Sequence, residues 1–169
     1  LESDRRANPL TWSGEEDRFH QPHFELHNDW QIDSGRRLGN TLFLTKGDGY
    51  YEQFREDRDA FEYNLVDSPI YEDGGGPNYR TDLTRRRTVD EWDAGWIPSF
   101  EWAADAHRFA FGGELRLHRS HHFADVRDAL VYPAELPQYQ RFYDYKIRKN
   151  ALTAYLKDRV EFGSGLALD

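Results

Sequence analysis

Hydrophobic and polar positions alternate with a period of two along much of the chain, the spacing of strands that carry one apolar and one polar face. From His23 to Ile32 one parity reads His23, Glu25, His27, Asp29, Gln31 and the other Phe24, Leu26, Asn28, Trp30, Ile32, so that Asn28 alone departs from the pattern. A turn at Ser34-Gly35-Arg36 returns the chain through Leu38, Leu42 and Leu44 toward Tyr50-Tyr51, with Phe43 on the polar parity and Asn40 on the apolar one. A three-residue loop there predicts Ile32 opposite Leu38 and Leu26 opposite Leu44.

A second hairpin is expected around Asp105-Ala106. Its first strand sets Trp92, Ala94, Trp96, Pro98, Phe100 and Trp102 against Glu91, Asp93, Gly95, Ile97, Ser99 and Glu101. Its second sets Phe109, Phe111, Gly113, Leu115 and Leu117 against Arg108, Glu114, Arg116 and His118. A two-residue turn pairs Trp102 with Phe109, Phe100 with Phe111 and Trp96 with Leu115. Pro98 removes a ladder donor, which predicts a bulge or an irregular patch. A last strand sets Leu152, Ala154, Leu156, Val160 and Phe162 against Thr153, Tyr155, Lys157, Arg159 and Glu161, with Asp158 as the exception, before a short turn at Gly163-Ser164-Gly165.

Between the hairpins lie two polar stretches, Gln53–Leu83 with Gly74-Gly75-Gly76-Pro77, and Phe123–Phe142 with Pro133 and Pro137, both read as long loops. The order is therefore strand, short turn, strand, long loop, repeated, the asymmetry of outer-membrane barrels. Alternation alone fits a soluble sandwich equally well, because one fold turns its apolar face inward and the other outward. Strand length favours the barrel, since a tilted spanning strand needs about 9–11 residues against a usual strand of about 5–6. Rings at strand ends, Tyr50, Tyr51, Trp92, Tyr143 and Tyr145, suit an interfacial girdle or ordinary strand positions.

Composition sharpens this picture. A chain of 169 residues makes one domain with a modest core, yet a mean hydropathy of -0.93 beside 15% aromatic residues is too polar for a compact α/β enzyme and too aromatic for disorder. A net charge of -9 and the brevity of Arg85-Arg86-Arg87 argue against a nucleic-acid partner. There is no run of 18 apolar residues for a membrane helix and no recognisable signal peptide. A start at Leu1 and the absence of Met suggest an internal fragment or a processed product. With no Cys, disulfides and thiolate metal sites are excluded.

Several segments resemble the barrel strands of TonB-dependent outer-membrane receptors: Asn8-Pro9, Asp17-Arg18-Phe19-His20-Gln21-Pro22-His23, and Leu42-Phe43-Leu44-Thr45-Lys46-Gly47-Asp48-Gly49-Tyr50-Tyr51-Glu52. Gly95-Trp96-Ile97-Pro98, Gly112-Gly113-Glu114-Leu115-Arg116, His121-His122, and Tyr143-Asp144-Tyr145 before Ala154-Tyr155 resemble them too. The likeness is spread over almost the whole of 1–169, and its weight lies in order and spacing. It implies an all-β fold of antiparallel up-and-down strands, an arc of a transmembrane barrel with about five of the roughly 22 strands such barrels have.

It further implies a bacterial outer-membrane receptor that captures a scarce nutrient, often a ferric siderophore. Outer-membrane lipid, a plug domain, the remaining barrel strands and the TonB complex would be its partners. The plug and the TonB box are not recognisable in this sequence. The alternative is a soluble β-sandwich module that binds carbohydrate through exposed Trp and Tyr; an enzyme on an all-β scaffold is a third class.

On the barrel reading, Phe24, Leu26, Trp30, Trp96, Phe100, Trp102, Phe109, Phe111, Leu115, Leu117, Leu152 and Leu156 face lipid, whereas His23, Glu25, His27, Asp29, Arg108, Glu114, Arg116, Tyr155, Lys157 and Arg159 line a lumen and pair with one another or with a plug. His118, His121, His122 and Asp125 form the most site-like cluster, able as imidazoles beside a carboxylate to bind a ligand or a transition metal at the outer rim, or to serve as plain polar residues at a loop entrance. The acids Glu52, Glu56, Asp57, Asp59 and Glu62 could hold Ca²⁺, although they lack EF-hand spacing and suit a solvated loop. No cofactor is expected apart from such a metal. Catalysis is not expected either: there is no Gly-x-Ser-x-Gly elbow, no Walker loop around Gly74-Gly75-Gly76 and no Cys nucleophile.

Overall fold

The computed structural model describes residues 14–66, 80–162 and 167–168. Among them the protein is all-β, an antiparallel up-and-down sheet that does not close on itself. Its strands are β1 (Glu16–His20), β2 (His23–Asp33), β3 (Arg36–Asp59), β4 (Arg80–Ala104), β5 (His107–Ala129), β6 (Gln140–Glu161) and β7 (Ala167–Leu168). The hydrogen-bonded order is β1-β3-β4-β5-β6-β7, and β2 also pairs with β3. Among the described residues a single 3-10 turn, Ala60–Tyr63, interrupts the strands.

The β2–β3 hairpin departs from the expected register. Trp30 faces Leu38, Leu26 faces Leu42 and Phe24 faces Leu44, while Asp33 pairs with Arg36 and the ladder shifts between Gln31 and Asp33. The turn is thus one residue tighter than expected and Ile32 occupies the irregularity. A shift of two keeps each side chain on its expected face. The turn is fixed by Asp33, whose carboxylate accepts from the Gly35 amide at 2.9 Å and from Arg36 Nε at 2.7 Å.

The β4–β5 turn falls where alternation places it, with Asp105 in the left-handed region at φ 53°. The expected ring pairs form: Phe100 and Phe111 lie 5.0 Å apart between centroids, Trp102 and Phe109 5.6 Å. Such pairs contribute about 0.5–1.5 kcal/mol each beyond their burial. Strand β4 runs on through Pro98. The turn expected at Gly163-Ser164-Gly165 and the Gly74-Gly75-Gly76-Pro77 segment lie outside the described residues, although Glu161 pairs with Ala167 on the far side of the former.

Both long loops are shorter than the sequence suggests. Gln53–Asp59 continues β3, Arg80–Leu83 begins β4, Phe123–Ala129 continues β5, and Gln140–Phe142 begins β6. These stretches lack apolar alternation because charged and polar groups meet across the ladder: Arg80 Nε donates to Asp57 at 2.5 Å, Arg86 Nε to Glu52 at 2.7 Å, and Arg141 Nε to Asp125 at 3.0 Å.

The chain divides into two compact units, the first drawing on 14–20, 48–66, 80–90 and 121–145. Its core is Ala60, Tyr63, Leu65, Leu83 and Val126, against which Phe142, Tyr132 and Leu136 pack. The 3-10 turn delivers two of these residues, Ala60 and Tyr63, and Leu65 follows it. Asp59 caps it by accepting from the Phe61 amide at 3.0 Å, and Asn64, left-handed at φ 54°, ends it and donates to the Arg141 carbonyl at 3.1 Å. Residues 130–139 are closed by Tyr132, whose hydroxyl donates to the Pro137 carbonyl at 2.6 Å and accepts from the Gln140 amide at 2.7 Å.

The second unit comprises 21–47, 91–120, 146–162 and 167–168. It is a sheet with two unlike faces and, among the described residues, no second layer: none of the buried hydrophobic core residues belongs to it.

Candidate functional site

In the second unit, the apolar parity of every long strand is open to the surroundings. Leu152 and Leu156 are 81% and 76% exposed, and Phe24, Leu26 and Trp30 are about as open at 62%, 64% and 59%. Trp96, Trp102, Phe111 and Leu115 are exposed on the same face, and Phe100, Phe109 and Leu117 are half-buried among them. Two of the polar exceptions in the alternation meet on this surface. Asn28 is directly opposite Asn40, and the Trp96 indole N–H donates to Asn40 Oδ1 at 3.0 Å. A polar amide on an apolar face is thereby satisfied by the ring beside it.

The other face carries the charged residues, linked across strands. Glu25 lies between His23 (3.1 Å) and His27 (2.7 Å), with Thr41 Oγ1 3.0 Å from the second His27 nitrogen. Asp29 pairs with Arg37, Arg108 Nε donates to Glu161 at 3.0 Å, and Arg116 Nε donates to Asp93 at 2.9 Å. Lys157 and Arg159 line a cleft with Arg37, Glu101 and Arg108. Phe43, the aromatic exception, lies over Gly95 on this face, with the His23 ring edge-on at 6.5 Å between centroids and Arg116 5.8 Å from its own. Tyr155 similarly covers Gly112, where a Cβ would meet its hydroxyl at 2.9 Å.

The histidine cluster is not assembled. The pleat sends neighbouring side chains to opposite faces, and each of the four residues has its own partner. His118 lies 3.7 Å from Asp93, His121 Nε2 is 2.7 Å from Asp144, His122 stacks on Tyr145 at 5.1 Å between centroids, and Asp125 accepts from Arg141. Asp144 is held below the ordinary carboxylate range by His121 and then Arg141, and Arg141 is raised by its bond to Asp125. Among the described residues no three His, Cys, Asp or Glu converge as metal ligands. The acids proposed for Ca²⁺ are likewise dispersed: Glu52 binds Arg86, Asp59 caps the 3-10 turn, and Asp57 is lowered by its bond to Arg80.

Sequence reading missed a group of arginines in the first unit. The triplet Arg85-Arg86-Arg87 is split by the pleat, so that Arg86 binds Glu52 and lies 3.9 Å over the Tyr50 ring, whereas Arg85 and Arg87 share the face of Tyr51, Gln53 and Arg55. Arg87 Nη1 donates to the Tyr51 hydroxyl at 2.7 Å, and Arg85 donates to the Tyr63 hydroxyl at 3.2 Å and to Gln53 Oε1 at 3.1 Å. Arg55 donates to the same Gln53 oxygen at 2.9 Å. A cleft of about 500 Å³ opens beside Arg87, lined also by Tyr51, His122, Tyr143 and Tyr145. The spacing of Arg85 and Arg87 was the available signal, since residues two apart share a strand face; that Arg55 faces them depends on register.

Comparison with protein-family models, with curated proteins and with solved structures gives no match for this chain, so its function rests on the surfaces described above.

Proposed function

We propose that this chain forms part of the wall of an outer-membrane β-barrel of the TonB-dependent receptor kind, with residues 23–45, 92–103, 108–117 and 152–162 as its membrane-spanning segments. The observation that carries this reading is the exposed apolar face of the second unit. A single sheet that leaves Phe24, Leu26, Trp30, Leu152 and Leu156 this open on one surface and carries ion pairs on the other is accounted for when the medium differs on the two sides. Lipid against the apolar face and water against the charged face match that asymmetry. Within the ladder the backbone requirement is met as well, because paired strands satisfy one another's amides and carbonyls, which leaves only the sheet's edges to be paired.

The receptor assignment draws on the ordered motifs, above all Gly47-Asp48-Gly49-Tyr50-Tyr51-Glu52 along β3. In this reading the first unit meets an incoming nutrient, and the charged face of the second lines its path or contacts a plug supplied by the rest of the receptor.

The test is far-UV circular dichroism and electrophoretic mobility of unheated samples, in buffer and in detergent micelles, followed by tryptophan quenching with brominated lipids. β-Structure recovered only in micelles, with Trp30, Trp96 and Trp102 quenched, supports the barrel wall. A cooperative β-fold in plain buffer, unchanged by detergent, sinks it and favours the carbohydrate-binding sandwich.

A further inference from the structure

Arg55, Arg85 and Arg87 differ from several arginines around them, in a way shared with Arg127 over the Tyr139 ring. Arg80, Arg86 and Arg141 each meet a carboxylate. These three meet none among the described residues, and the Nε of each is buried without a hydrogen-bond partner. Asp17 lines the same cleft as Arg87 yet makes no ion pair with it. Burial, with Arg87 and Arg55 close by, lowers the pKa of Arg85 from the usual arginine range. Unpaired guanidinium groups taken partly out of water are costly unless an anion completes them.

The hydrogen-bond inventory at this place runs in one direction. Gln53 Oε1 already accepts from two arginines, which leaves its amide N–H groups as donors. The Tyr51 and Tyr63 hydroxyls each accept from a guanidinium, which leaves their O–H groups to donate elsewhere. Tyr143, whose ring lies 6.0 Å from the Arg87 guanidinium carbon, is raised by burial and stays a protonated phenol. Of these donors Arg87, Tyr51 and Tyr143 line a cleft, together with Tyr50, Tyr145, His122 and Asp17, whose size is within the range of about 300–1,000 Å³ typical of small-molecule sites.

We propose that Arg87 and the phenols of Tyr51 and Tyr143, with the charge of Arg85 and Arg55 clustered beside them, form a binding site for a small polyvalent oxyanion bearing carboxylate or phosphate groups. Guanidinium forks match both groups bidentately, and each charge-assisted bond outweighs a neutral one. A nucleic acid is a poor fit, since a cluster of three cations on an acidic chain offers no track for a phosphate backbone. The site lies wholly within the first unit, so it stands or falls independently of the lipid-facing assignment.

Calorimetric titration tests it, using the full chain in whichever medium holds its β-structure, with citrate and pyrophosphate as probes. Saturable binding of at least one is expected, weaker at high salt. It should weaken by about tenfold or more in Arg85→Gln and in Arg87→Gln, the loss of one charged hydrogen bond, and be unchanged in Arg36→Gln. The preferred probe separates carboxylate from phosphate chemistry. No saturable binding by folded chain overturns the proposal, as does equal loss in Arg36→Gln. Binding of a poly-Glu peptide with no response to either small anion overturns it in favour of an acidic protein segment. If the Gln variants lose β-structure, Arg85→Lys and Arg87→Lys keep the charge without the fork. The rise in melting temperature produced by the probe should shrink in them, and an undiminished rise counts against the site.

Discussion

The ring of Phe43 lies over Gly95 so closely that a methyl group at residue 95 would overlap it, and a Cβ there would also sit 3.0 Å from the Leu115 carbonyl oxygen. Phe43 is the one aromatic on the charged parity of β3 within the second unit, and the missing side chain on β4 is what accommodates it. Gly95→Ala is therefore expected to destabilise the second unit by about 1–3 kcal/mol through overpacking. The added change Phe43→Ala should recover part of that loss, read by denaturant unfolding of both variants. Additive losses would show that ring and glycine are not coupled.

Trp96 and Asn40 give a test of the medium. If lipid covers their face, Trp96→Phe strands the Asn40 amide in hydrocarbon and costs about 1–3 kcal/mol, and Trp96→Phe with Asn40→Leu restores most of it. On a water-covered face, the amide hydrates and the single change is nearly neutral. Thermal unfolding of the three variants in micelles distinguishes the two.

Two leucines should respond in opposite ways. Leu83 is fully buried in the first unit, so Leu83→Ala is expected to cost about 2–5 kcal/mol from lost transfer energy and the cavity left behind. Leu152 is wide open, and Leu152→Ala should change little. Leu152→Arg, by contrast, should cost up to about 2–4 kcal/mol in a bilayer if it lies near the midplane. Equal stability of Leu152→Arg and the parent chain in vesicles would count against lipid contact.

Asp144 links acidity to the packing of β5 against β6 in the first unit. Its folded pKa is depressed, first by His121 and then by Arg141. A depressed carboxylate contributes stability that is fully present above its unfolded value, about 3.9, and is lost as pH falls through the folded one. Local amide exchange near His121 and Arg141 should accelerate as pH drops below about 4, after correction for intrinsic rates. Asp144→Asn should flatten that dependence. A profile identical in both proteins would show that the contact carries no linkage.

Much of the fold is legible in the sequence, and the places where it is not have a common cause. Alternation found the hairpins because Leu26, Trp30, Trp102 and Phe109 put their hydrophobicity on one parity. It failed at Gln53–Asp59, Arg80–Leu83 and Phe123–Ala129, where the ladder is held by pairs such as Arg80–Asp57 and by the local core around Leu83 and Val126. Hydropathy of period two carries no trace of a strand whose cross-strand partners are charges. The histidine cluster divides for a related reason: closeness along a strand is not closeness in space, and the pleat parts His121 from His122. The three arginines went unrecognised because Arg55 reaches Arg85 and Arg87 through register across β3 and β4, a relation that no local window contains.

Strand β2 pairs with β3 alone among the described residues, and all eleven of its residues are exposed. Each amide and carbonyl on its outer margin is an unspent hydrogen-bonding valence, repeated along the strand. Water can saturate that margin but hydrocarbon cannot, at several kcal/mol for each group left bare. Placed in a bilayer, β2 therefore acts as a template that accepts an antiparallel or parallel neighbour, from its own parent sheet or from another copy. The integrity of this sheet is a property of the ladder as a whole, not of any one strand in it.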